Sequence, residues 1–169
     1  MERQKYEELF DSLKGTLEGI GLETYMLPGI GGIQIGDTLR TLVPVTDQGD
    51  AVMMELSLAH LSDELCFMQF YTTLIMEVGA GYDQLKLAVE GINFYCPIGA
   101  FGIFETQLYH KYGLLMNQDE DAEQLAADSM TALQVIYDIL ETYFPVATSI
   151  SEGELTVEQA MEQGLLKGE

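Results

Sequence analysis

The chain has 169 residues, 47% of them apolar, which is enough to bury one sizeable core. Its 28 acids against 7 bases give a formal net charge of −21, which repels phosphate backbones and anionic lipid and so argues against nucleic acid and membrane as partners. No stretch approaches the ~20 apolar residues of a membrane span, and the opening MERQKYEELFDSL lacks a signal peptide's apolar segment, so a cytoplasmic protein is expected.

Tyr6, Leu9, Phe10, Leu13, Leu17 and Ile20 recur at three- and four-residue intervals and predict an amphipathic N-terminal helix that stops at Gly21. From Leu22 to Val78 the texture changes to short apolar or alternating runs between turn signals, the pattern of strands and tight turns. Val52, Met54, Leu56 and Leu58 share one face of a strand while Met53, Glu55 and Ser57 share the other, as in a half-buried antiparallel strand. The Ser62-Asp63-Glu64 corner is expected to fold the chain back into a hairpin.

After the Gly79-Ala80-Gly81 break, Leu85, Ala88, Val89, Ile92 and Tyr95 predict a middle helix, with Asp83 at or near its N-cap and Pro97 closing it. Two strands follow, around GAFGIFE and LYHKYGLLM, and the acids from Asp119 to Glu123 introduce a long helix. Leu125, Ser129, Leu133, Ile136, Leu140 and Phe144 line its main face. The predicted class is α+β: an N-terminal helix, an antiparallel sheet of about five to six strands, a middle helix and a long C-terminal helix. One domain is expected over residues 1–146, with 147–169 a loosely attached acidic tail carrying a short helix from about Thr156.

No catalytic or metal-binding spacing emerges. The glycines at 29, 31, 32 and 36 and at 79 and 81 miss the GxGxxG register, meeting Gln34 and Gln84 where glycine is needed, and read as turn glycines. His60 and His110 sit in no ligand motif and are expected to face solvent and the sheet surface. Cys66 and Cys96 stand in apolar runs without CxxC spacing and read as buried thiols. No catalytic residue, metal ligand or cofactor is therefore assigned. The methionines in the sheet region, above all the outward Met53, suit an adaptable binding surface.

The stretch LSDELCFMQFYTTLIMEVGAGYDQLKLAVEGINFYCPIGAFGIFETQLYHKYGLL carries a hairpin strand, a helix closing on Ile92-Asn93 and a strand opening at Gly99-Ala100-Phe101-Gly102. Over roughly residues 50–145 it resembles the YbjN family of bacterial proteins and, more remotely, the small acidic dimeric chaperones of type III secretion. The resemblance implies a non-enzymatic, often homodimeric protein that docks a segment of another protein on its sheet or helix faces. Asn93 and Gly99 match best, with structural roles implied: capping the middle helix and turning the backbone into the next strand.

Two functions compete at this point. One is a protein-binding or regulatory module, a homodimer, for which Met53 is the candidate contact. The other is a small-molecule sensor with an apolar pocket between sheet and helix, lined by Phe67, Phe70, Phe101 and Phe104. An enzyme working through carboxylate or metal chemistry is a third and weaker reading, because no pairing among so many acids is singled out.

Overall fold

The computed structural model describes residues 3–29, 34–46, 49–60 and 65–167. The elements run α1 (Arg3–Gly19), β1 (Thr24–Leu27), β2 (Gln34–Pro44), β3 (Ala51–His60), β4 (Leu65–Ile75), α2 (Tyr82–Tyr95), β5 (Ala100–Phe104), β6 (Gln107–Asn117), α3 (Ala122–Ser151) and α4 (Val157–Glu162). The strands form one six-stranded sheet in the order β1-β2-β3-β4-β6-β5, every pair antiparallel. This is the expected α+β class. The Ser62–Glu64 corner, Gly31, Gly32 and the side chain of His60 lie outside the described residues.

All the sheet's helices pack on one side. α1 lies over β1 and β2, α3 over β4 and β6, and α2 over β5, with α3 touching both α1 and α2. Beneath them the even-numbered residues of β4, namely Cys66, Met68, Phe70, Thr72 and Leu74, are buried together with Met54, Leu56 and Leu58 of β3. The odd-numbered residues of β4 are all half-buried on the opposite face. Successive strand side chains point to opposite faces, so the alternation is the direct signature of a sheet covered on one side.

One helix boundary meets the sequence expectation and one differs from it. α2 is capped by Gly81, and Asp83 falls in its first turn. A Cβ at position 81 would run into the Ile150 carbonyl, so the close approach of α2 to the end of α3 demands glycine there. α3 does not end near Pro145; it runs through it to Ser151. Losing the proline's hydrogen bond costs on the order of 3 kcal/mol in a helix interior. Val146, Ala147 and Ile150 are buried just beyond it and extend the apolar stripe, which holds the helix together.

The segment after α3 is likewise attached, so a boundary at 146 cuts through packed structure. Thr156 and Gln159 form a reciprocal capping box at the start of α4, and Val157 donates its N–H to Gln84 Oε1 of α2 at 3.0 Å. Ala160 and Leu166 are buried in the common core. The tail is acidic because its outward positions are acidic, while its inward ones remain apolar. No helix among the described residues is long and apolar enough to cross a membrane.

Candidate functional site: the open face of the sheet

The uncovered face is built from alternate residues of six strands, and the register fixes which of them stand side by side. One row across it runs Tyr25, Arg40, Glu55, Tyr71, Lys111, Ala100. The next runs Leu42, Met53, Thr73, Tyr109, Gly102. Towards the other end stand Ser57, Gln69 and Gly113, then Ala59, Phe67 and Leu115.

The charge on this face is unlike the rest of the chain. Among the residues of these rows Glu55 is the one carboxylate, and it is joined by two bases, Arg40 and Lys111. Arg40 donates from both Nε and Nη2 to Glu55 Oε1 at 2.5 Å. Lys111 is exposed and has no carboxylate partner among the described residues. Asp37 lies in the irregular stretch of β2 between Ile35 and Leu39 and accepts from Gly29 N–H at 3.2 Å, and further acids stand outside the strands: Glu23, which accepts from Tyr25 Oη at 2.8 Å, Glu77 and Glu105.

Between the charges lies apolar and aromatic surface. Tyr71 and Tyr109 stack with ring centroids 5.3 Å apart, and the Tyr109 ring overlies Gly102, where a Cβ would fall 2.5 Å from it. Burial and the neighbouring Tyr109 and Glu55 push the Tyr71 phenol above its ordinary value, so it stays a neutral hydrogen-bonding group. Phe67 leans over Gly113, and Leu115 beside it is 58% exposed. At both glycines a ring from the neighbouring strand lies where a side chain would otherwise stand.

The candidate residues divide across the sheet. Met53 and Phe67 stand on the open face, both half-buried. Phe70 is fully buried on the helix-covered face, near Tyr112 at 6.0 Å. Phe101 is also on that face, edge-on to His110 at 5.0 Å and to Tyr143 at 5.9 Å. Phe104, at the end of β5, is 66% exposed. Phe67, Phe70, Phe101 and Phe104 therefore line no common pocket, because odd and even positions of a strand face opposite ways. Arg40, Glu55, Tyr71, Tyr109 and Lys111 complete the face, and of these only Glu55 was marked as outward by its alternation with Met53.

Asn93 caps nothing. The last turn of α2 is closed by the Cys96 N–H to the Ile92 carbonyl, and the Asn93 amide instead holds edge strand β5, donating Nδ2–H to Phe101 O at 2.9 Å and accepting Phe101 N–H on Oδ1 at 2.7 Å. Gly99 takes φ +71 at the turn into β5, where a Cβ would strike the His110 ring. His110 is not on the sheet surface: it is fully buried under the helices, with Nε2 3.3 Å from Ile98 O. Its Nδ1 and the hydroxyls of Thr41 and Thr72, all in one row of that face, have no hydrogen-bond partner among the described residues. Burial lowers the imidazole pKa from its usual value, and the Ile98 carbonyl offsets this in part.

Cys66 is buried and Cys96 half-buried, its thiol donating to Ile98 O at 3.0 Å; burial raises both thiols above their ordinary pKa. No group of three or more His, Cys, Asp or Glu side chains is gathered to hold a metal among the described residues. A small cleft of about 40 Å³ lies between α2, α3 and α4, edged by Leu87, Ile92, Tyr95, Tyr143 and Met161, with the Lys167 ammonium 5.3 Å from the Tyr95 ring at its side. In comparisons with known proteins, the chain matches no family model and no curated protein.

Proposed function

We propose that this chain is a non-catalytic protein-binding module, of the kind represented by the YbjN family and the type III secretion chaperones, and that the open face of its sheet is the docking surface. The observation that carries the proposal is the charge on that face. A chain with 28 acids and 7 bases places one carboxylate and two bases in the described rows of paired strand residues there, set among Tyr71, Tyr109, Met53, Phe67 and Leu115.

Acids distributed for solubility alone would cover an uncovered sheet as they cover the outer faces of the helices. Apolar and aromatic groups left on an exposed surface rimmed with charge are the composition of an interface. The antiparallel sheet also supplies a rigid platform, so docking needs no ordering of the backbone.

The test compares captured partners. Met53→Lys sets a charge among the apolar groups of the face, and Gln134→Lys makes the same charge change on the exposed side of α3. Proteins retained by the wild-type chain and by Gln134→Lys should be lost with Met53→Lys. An unchanged set with Met53→Lys would move the docking surface elsewhere.

A further inference from the structure

We infer that the occupant of the open face is a second copy of the same chain, placed by a two-fold axis that runs parallel to β4 and midway between two facing sheets. The inference rests on the open face being the docking surface and adds the partner and its register.

The charge row selects the axis. A two-fold parallel to the strands keeps every residue at its own height along the strand and exchanges the strands to either side of the axis. In strand order β2, β3, β4, β6, β5, the row reads Arg40, Glu55, Tyr71, Lys111, Ala100. An axis over β3 would set Glu55 against Glu55 of the second copy. One between β3 and β4 would set Arg40 against Lys111 of the second copy, and one between β4 and β6 would leave Glu55 and Lys111 unmatched. An axis over β4 sets Glu55 against Lys111 of the second copy, and Lys111 against Glu55 of the second copy, so one pairing is made twice, as a self-complementary two-fold interface requires. Lys111, which has no carboxylate partner among the described residues, then acquires one.

The same axis matches the uncharged rows. Met53 meets Tyr109 of the second copy, Leu42 meets the edge of the Tyr109 ring that overlies Gly102, and Ala59 meets Leu115. Phe67 and Tyr71 each meet their own counterpart. With the axis parallel to β4 the two β4 strands run in the same direction and facing residues keep the same height on sheets about 10 Å apart, a gap that lysine and glutamate side chains span.

Five overlapping strands at ~4.8 Å spacing and about eight residues at ~3.4 Å give a footprint of roughly 650 Å² per copy, close to the ~800 Å² per partner of a stable interface. Two chains of net charge −21 repel, and the open face is where that repulsion is least.

The test uses the full chain and two single variants, Glu55→Lys and Lys111→Glu, followed by sedimentation velocity and native mass spectrometry. Wild type should be a dimer. Each variant alone sets like charges against each other twice, and its dissociation constant should rise about tenfold or more. An equimolar mixture should restore a dimer containing one of each variant. Across that interface the lysine introduced by Glu55→Lys meets the glutamate introduced by Lys111→Glu, and the unchanged Lys111 and Glu55 meet at the second pairing. Should Glu55→Lys fail to fold beside Arg40, the variant Arg40→Glu/Glu55→Lys keeps the local pair and takes its place.

A mixture that stays monomeric, or a wild-type chain monomeric at all concentrations, overturns the inference. A dimer indifferent to both charge reversals but lost with Met53→Lys overturns the two-fold and leaves the open face as the docking surface. A dimer indifferent to Met53→Lys as well removes both.

Discussion

The two faces of one sheet are made from the same strands and differ in what the alternation puts on each. The helix-covered face of β4 carries Cys66, Met68, Phe70, Thr72 and Leu74, all buried, and the open face carries Leu65, Phe67, Gln69, Tyr71, Thr73 and Ile75, all half-buried. The covered face shields apolar groups so completely that three polar atoms are left there without partners among the described residues. The open face keeps every charge near water and still presents aromatic surface. One side of the sheet is closed by the helices, and the other is the surface proposed for association.

Truncating the same residue type on each side separates these roles most sharply. Phe70→Ala leaves a cavity in the core and should cost about 3–5 kcal/mol of stability, measured by denaturant unfolding at a concentration where association is absent. Phe67→Ala should cost the isolated chain roughly 1 kcal/mol or less and weaken association instead. Equal stability losses at the two positions would erase the distinction.

Next in size is the edge that closes the sheet. Asn93→Ala strips the Phe101 N–H and carbonyl of their side-chain partners and should cost about 1–3 kcal/mol. Amide exchange at Phe101 should accelerate while exchange in β3 stays unchanged. Asn93→Asp would keep the acceptor for Phe101 N–H and lose the donor, giving an intermediate effect.

The smallest effect sharpens the covered face through pH. His110 has a folded-state pKa below its unfolded value of about 6.5, so the unfolded chain binds the proton more readily and stability falls as pH drops below 6.5. The loss levels off once pH passes below the folded pKa. At pH 5.5 it amounts to at most about 1.4 kcal/mol. Unfolding of wild type and His110→Gln at pH 7.5 and 5.5 isolates it, because the carboxylates titrate alike in both chains; an identical pH dependence in the two would place His110 outside this account.

The fold was legible because strand and helix periods are local properties of a sequence. Leu85, Ala88, Val89 and Ile92 announce α2, and the parity of Val52, Met54, Leu56 and Leu58 announces β3. Parity also holds the reason why Phe67 and Phe70 could not line one pocket: three positions apart on a strand, they face opposite sides. What sequence alone did not reveal is tertiary. Pro145 reads as a helix end until the apolar stripe beyond it is seen to be buried. His110, beside two tyrosines and a lysine, reads as surface until α3 is placed over β6. The row from Arg40 to Lys111 spans four strands whose order departs from chain order at β6, so no local pattern announces it.

Solvent access at Met53 as the chain associates tests the account most directly. A Met53→Cys variant, labelled by a thiol reagent and resolved by peptide mass from Cys66 and Cys96, reports whether the open face is covered. The labelling rate at position 53 should fall about tenfold or more as protein concentration rises through the dimer's dissociation constant. A rate unchanged from dilute to concentrated protein would contradict the claim that a second copy covers the open face of the sheet.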